Sequence, residues 1–284
     1  MEPLDPHQAR QRAAFAALLD VRDDETFARG HLAGSGHLPR AELLERRTEL
    51  PPRGTGILVV AGNAAEAAAA AAALEAMGYA GVAFLDASLA EWPGGFADRA
   101  AAVRLWRPAR FLEEVLPDVL AGLPPAAERA PTALDVACGA GRDAVFLAAH
   151  GFAVEARDHA PEALERAQAL ARREGVALRT VMCNLERQGL APPERAFDLV
   201  VCFRFLHRPL FPWMQQAVAP GGWLVSETYR SGQERYGRPR RAQFVLQPDE
   251  LARAFPALEI VRYEEPDPPG GPVTARLLAR RPTG

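Results

Sequence analysis

Lysine is absent from this 284-residue chain, so all 33 of its basic side chains are arginine. With 25 prolines and long alanine runs, this bias reflects GC-rich coding, and no partner is read from it. Cysteine is scarce too. Cys138, Cys183 and Cys202 are odd in number, widely spaced and form no Cys-x-x-Cys pair, so neither a disulfide framework nor a zinc site is indicated and a reducing cytoplasm fits best. No metal site is expected. The opening "MEPLDPHQARQR" has no apolar core of signal-peptide length, and no later run reaches the roughly 18 apolar residues a membrane helix needs. A soluble, cytoplasmic protein without a membrane partner is expected. A net charge of only -3 supplies no broad field for nucleic acid, so a nucleic-acid partner is not expected either.

What is present is enough apolar material, 49% of residues, for two ordinary domains. The boundary is placed at 95/96. In the first half, "FAALLDV" reads as a strand, "DDETFARG" as a helical turn and "GTGILVVAG" as a buried strand. Asn63 then caps an alanine-rich helix stopped by Gly78, and "GVAFLD" follows as the next strand. Strand, helix, strand in about 30 residues is a parallel βαβ unit. These residues, "LLDVRDDETFARGHLAGSGHLP", "ILVV", "MGY" and "VAFLDASLAEW", resemble the rhodanese domain over about 15–92. The resemblance implies a nucleophilic cysteine at the first position of the loop after "ILVV", where Ala61 stands, and an arginine further along, where Glu66 stands. A catalytically silent rhodanese-like domain is therefore expected, serving as scaffold or dimerisation surface.

Two Pro/Gly/Ala-rich breaks follow, around an amphipathic helix over 109–120, and the first reads as the linker. Trp106, Phe111, Leu112, Val115 and Leu116 at helical spacing are expected to pack on the sheet that comes next, with "RLWRP" as a candidate lid and Trp106 as a candidate substrate contact.

From Thr132 strand and helix alternate, and "LEIVRYEE" and "PVTARLLARR" read as a terminal hairpin. A Rossmann-like, doubly wound, seven-stranded sheet with a reversed terminal strand is expected over 96–284, its ligand at the carboxyl ends of the strands. In "ALDVACGAGRDAVFLAAHG", Gly139 and Gly141 lack a Cβ where a strand turns into a helix, so backbone can approach a bulky ligand. Asp135 stands four residues before the first glycine, and Asp158, 17 residues after Gly141, suits the two hydroxyls of a ribose. This is nucleoside-binding geometry. NAD and S-adenosylmethionine (SAM) both fit it, because Ala144 at the third glycine position of a dinucleotide fingerprint is tolerated.

The segments "LDVACGAGRDAVFLAAHGFAVEARDHAPEALERA", "FDLVVCFRFLH" and "VAPGGWLV" resemble class I SAM-dependent methyltransferases over about 105–281. Within these, "CGAGRDAVFLAAHG" and "RDHAPEAL" look most like the tellurite-resistance methyltransferase group. The resemblance implies SAM as cofactor. Ala137, Cys138, Gly139, Gly141 and Arg142 would line its methionine part, Asp135 its ammonium, Asp158 its ribose, and His159, Asn184 and Leu185 its adenine. Cys202, Phe203 and Arg204 would close the floor, with Arg204 a candidate catalytic residue. Asn184 departs from the family's aspartate. Cys138 and Cys183 read as small core residues rather than nucleophiles.

A sulfonium methyl needs little acid–base help. Should a base exist, His207 in "FRFLHRP" is the candidate, against a plain loop-capping role. The segment "TYRSGQERYGRPRRAQFVLQP" gathers Tyr229, Arg230, Arg235, Tyr236, Arg238, Arg240 and Arg241. Of these, Tyr229, Arg230 and Arg238 are candidate contacts for a small acceptor, anionic or thiol, and a solvated face is the alternative. A non-catalytic SAM-binding or partner-binding regulatory protein stays open beside the enzyme.

Overall fold

The computed structural model describes residues 1–13, 16–92, 96–97, 102–123, 129–187 and 196–283. The first expected break falls largely on 93–95 and 98–101, and the second largely on 124–128, outside the described residues. The chain divides into two compact units, Met1–Arg107 and Pro108–Gly284. No helix among the described residues is long and apolar enough to cross a membrane.

The first unit runs β1 (Glu2–Leu4), α1 (Pro6–Ala13), β2 (Ala17–Asp20), α2 (Asp24–Arg29), β3 (His31–Leu32), β4 (Ser35–His37), β5 (Ile57–Val60), α3 (Ala64–Ala76), β6 (Val82–Leu85) and β7 (Phe96–Ala97). Five strands form one sheet in the order β1-β6-β5-β2-β4, every pairing parallel. β5 is buried at every position, as a central strand covered on both faces requires. The expected cap is present, since the Asn63 side chain accepts the Glu66 N–H at 3.0 Å. Ala67, Ala70, Ala71 and Leu74 then bury one face of α3. Ala61 lies 1% exposed at the end of β5, and α3 begins three residues later.

β1 and α1 were not foreseen. Three residues carry no periodicity, and β1 exists because Glu2, Pro3 and Leu4 register against Ala83, Phe84 and Leu85. The stretch before the unit boundary is likewise held by a distant contact. Val103 donates its N–H to the Ser35 carbonyl at 3.0 Å, Leu105 is buried in the unit's core, and a Cβ on Gly36 would lie 2.2 Å from Leu105 Cγ. Trp106 belongs to this unit and is 2% exposed.

The second unit runs α4 (Arg110–Gly122), β8 (Thr132–Val136), α5 (Arg142–Ala149), β9 (Ala153–Asp158), α6 (Pro161–Arg173), β10 (Arg179–Met182), β11 (Phe197–Phe203), α7 (Phe211–Ala217), β12 (Val218–Tyr229), α8 (Glu250–Arg253), β13 (Glu259–Glu264) and β14 (Thr274–Arg280). The helix expected over 109–120 is α4, and it buries Phe111, Leu112, Val115 and Leu116 with Val119. The seven-stranded sheet has the order β10-β9-β8-β11-β12-β14-β13. Its first five strands pair in parallel, and β14 is reversed between β12 and β13. The chain steps outward one way from β8 and then restarts at β11 on the other side. That change of direction leaves a crevice at the carboxyl ends of β8 and β11.

Candidate functional site

The crevice is built by a turn that only particular residues can make. After β8 the backbone enters the left-handed region at Ala137 (φ 59°), Gly139 (φ 54°) and Gly141 (φ 76°) before α5 begins. The two glycines serve different ends. A Cβ on Gly141 would lie 2.5 Å from Ala167 Cβ and 3.0 Å from its Cα, so this glycine lets the turn pack against α6. A Cβ on Gly139 would meet nothing within 4 Å, and its bare backbone faces open space.

Three carboxylates surround the turn. Asp158, at the end of β9, accepts the Gly139 N–H at 2.9 Å and the Ala160 N–H at 3.0 Å, which pins the loop from below. His159 is exposed, with Nδ1 3.4 Å from an Asp158 oxygen. Asp143, in the first turn of α5, accepts the Ala109 N–H at 2.6 Å. Burial raises the Asp143 pKa, while that N–H and the charges of Arg142 and Arg204 work the other way. Asp135 is 2% exposed, and its Oδ2 has no hydrogen-bond partner among the described residues. Burial, and then the negative charge of Asp143, push its carboxyl well above the usual carboxylate range. An orphaned buried acceptor beside a bare backbone turn is the arrangement a cationic, hydrogen-donating ligand completes.

The same group carries a pH consequence. Its raised folded-state pKa means that the neutral form is the one the ligand-free fold accommodates, so its contribution is fully present below the unfolded value of 3.8 and is lost as pH rises through the folded pKa. Asp135→Asn is therefore expected to stabilise the ligand-free protein at neutral pH and to flatten the decline above pH 4. Urea melts across pH check this, and a variant less stable than wild type at pH 7 contradicts it.

On the β10 side, Asn184 is exposed and its Oδ1 accepts the Glu186 N–H at 3.0 Å, while Leu185 beneath is buried. Cys202 is buried in the core at the end of β11, and burial raises both its thiol and that of Cys138, so neither is poised as a nucleophile. No group of metal-ligating side chains occurs among the described residues.

Past the ends of β11 and β12 lies a cavity of about 750 Å³. Arg204, Tyr229 and Arg238 line it, as do Glu186, Arg240 and Arg241. Arg204 takes a left-handed φ of 56°, and its Nη1 lies 3.4 Å from the Tyr229 hydroxyl. Phe205, Leu206 and Phe244 contribute apolar walls. Three other candidates are not among the lining residues. His207 sits before a short 3₁₀ turn and makes no capping bond with its side chain, Arg230 faces Glu265 at 3.6 Å, and Trp106 belongs to the first unit. Sequence reading missed Asp143, although an acid in the first turn of the helix after a glycine loop is a legible signal. It also missed Phe244, which no local pattern marks.

The fold and this turn define a Rossmann-like α/β domain preceded by a second, parallel-sheet α/β unit. Each unit matches a known family model over part of its length. Residues 133–222 match the model of a methyltransferase domain, and residues 5–94 match that of a rhodanese-like domain. The chain thus carries a rhodanese-like domain ahead of a methyltransferase domain. Among curated proteins, methyltransferase-like protein 27 of Homo sapiens is 37% identical over 105 residues, covering 37% of this chain and 40% of that protein. Hemagglutinin 1 of Eikenella corrodens is 29% identical over 163 residues, covering 52% and 54%. The chain spans about half or less of the length of these relatives. Solved structures with a similar fold include TehB from Haemophilus influenzae, at a TM-score of 0.47 and 19% identity over 58% of this chain and 62% of that one. The N-methyltransferase NodS from Bradyrhizobium japonicum matches at 0.46 and 21%, over 61% and 98%.

Proposed function

We propose that this protein is a SAM-dependent methyltransferase acting on a small acceptor, with a rhodanese-like domain that transfers no sulfur. The observation that carries this reading is the buried Asp135 carboxylate, whose Oδ2 has no hydrogen-bond partner among the described residues, beside the Gly139 turn. It fits the ammonium of SAM, whose positive charge would keep Asp135 ionised despite its burial. The open backbone at Gly139 takes the chain beyond that ammonium, and Asp158, with lone pairs left after its two backbone bonds, accepts from ribose hydroxyls. Asn184 and His159 flank the remaining edge.

When bound, SAM supplies a methyl already activated by its sulfonium. Asp135 and Asp158 would hold SAM across the Gly139 backbone, and the methyl it carries would be available to an acceptor's lone pair. The chain's own contribution is to hold and orient the acceptor and to exclude water. Arg204 and Tyr229, which line the cavity past the ends of β11 and β12, would position it. The cavity past the ends of β11 and β12 supports transfer over mere cofactor sensing, since a sensor needs no acceptor chamber.

The first unit contains no cysteine, and Ala61 and Glu66 stand where the resemblance asks for a nucleophile and a cation. We place its boundary with the methyltransferase domain near 95 by resemblance, while residues 103–105 still pack with the first unit. Calorimetric titration with SAM and S-adenosylhomocysteine (SAH) tests the proposal. Binding of both is expected, together with no thiocyanate from thiosulfate and cyanide. A crevice that takes neither nucleoside refutes the methyl-transfer reading, and thiocyanate release refutes the silent-domain reading.

A further inference from the structure

The arginines around the loop after β12 fall into two groups. Arg208 is forked by Glu250, with Nε 2.5 Å from Oε1, and Arg235 meets Asp267 at 2.5 Å. Arg230 faces Glu265. Those lining the cavity are not neutralised in this way. Arg204 bonds the Tyr229 hydroxyl and acts on the Asp143 carboxylate, whereas the side chains of Arg238, Arg240 and Arg241 have no acceptor among the described residues. Three exposed arginines without an ion-pair partner, Arg238, Arg240 and Arg241, therefore line the cavity with a single carboxylate residue, Glu186.

Converging cations without counter-charges repel one another, and solvent screens but does not abolish this. The chain holds 36 acidic residues and pairs the neighbouring arginines with them, whereas Arg238, Arg240 and Arg241 at this wall are left unpaired beside the single acid Glu186. A ligand bearing an oxyanion completes it, because planar guanidinium forks match carboxylate and phosphate oxygens. Phe205, Leu206 and Phe244 give the wall an apolar part, and about 750 Å³ lies within the range of pockets that hold organic ligands. An inorganic oxyanion alone would leave that wall uncovered.

We propose that the methyl acceptor is an organic oxyanion, a carboxylate or a phosphate monoester, carried on an apolar, ring-sized body. This rests on the methyl-transfer reading. The arginines of the loop hold the charged end, and the aromatic wall holds the body.

Calorimetric titration of the full chain, with and without saturating SAH, uses 2-naphthoate, 1-naphthyl phosphate, neutral 2-naphthamide and inorganic phosphate. One or both organic anions are expected to bind at least about tenfold more tightly than the amide and than inorganic phosphate. Which of the two binds identifies the headgroup. The triple variant Arg238→Gln/Arg240→Gln/Arg241→Gln is expected to lose this preference while keeping wild-type SAH affinity, and Arg235→Gln is expected to retain it. Equal binding of naphthoate, naphthyl phosphate and amide overturns the inference, as does an undiminished preference in the triple variant. Should SAH itself not bind, the methyl-transfer reading falls, and the anion preference is judged by the titration without SAH.

Discussion

Gly141→Ala is expected to unfold this protein far more readily than Gly139→Ala, although the two glycines are two residues apart in one turn. At Gly141 the new Cβ meets both a side-chain and a backbone atom of Ala167, at 2.5 and 3.0 Å, on a backbone with φ 76°. Left-handed strain of about 1–2 kcal/mol and overpacking of about 1–3 kcal/mol add, for a loss of roughly 2–5 kcal/mol. Because one contact is to main chain, a rotamer change cannot relieve it, and either the loop or α6 must shift. At Gly139 the strain remains but the clash does not, so Gly139→Ala is expected to lose only about 1 kcal/mol. Its effect falls on the ligand instead, since the methyl group projects into the space assigned to the cofactor. SAH affinity is expected to drop by about tenfold or more, the equivalent of 1.4 kcal/mol. Urea melts and calorimetric titration of the two variants separate the roles. Unchanged affinity in Gly139→Ala would mean that nothing lies across that backbone.

The second large effect is expected for Asp158→Ala. Its carboxylate holds two backbone N–H groups, at 2.9 and 3.0 Å, and in the proposed complex accepts from ribose as well. Leaving Gly139 N–H and Ala160 N–H without their acceptor is expected to cost about 1–3 kcal/mol of stability. Loss of the charged acceptor for the sugar adds about 1.5–3 kcal/mol in binding, a fall in SAH affinity of roughly 10- to 100-fold or more. Asp158→Asn keeps one carbonyl oxygen and is expected to lie between the two, because an amide accepts from one backbone N–H but serves the sugar less well. Calorimetry at fixed salt reads both variants. Wild-type SAH affinity in Asp158→Ala would remove the ribose assignment.

Much of this site was legible in the sequence because its signals are local. A strand ending in an acid, a glycine turn and an immediate helix occupy consecutive residues, and the second acid follows at the end of the next strand. The capping of α3 by Asn63 and the apolar face of α4 obey the same short-range rules. Other features were hidden for the opposite reason. β1 exists only through pairing with β6, about 80 residues away, and Leu105 is held through its contact at Gly36.

By itself the sequence determined the alternation of strand and helix, the place of the bare turn and the absence of a cysteine where the first unit's resemblance calls for one. These depend on side-chain chemistry within a few residues. The tertiary structure alone decided that a buried Asp135 oxygen is left without a partner and which arginines are neutralised. Arg208 meets Glu250 and Arg235 meets Asp267 across 42 and 32 positions. Opposite charges pair according to distance in space, and no spacing along the chain encodes which arginines remain to face the cavity.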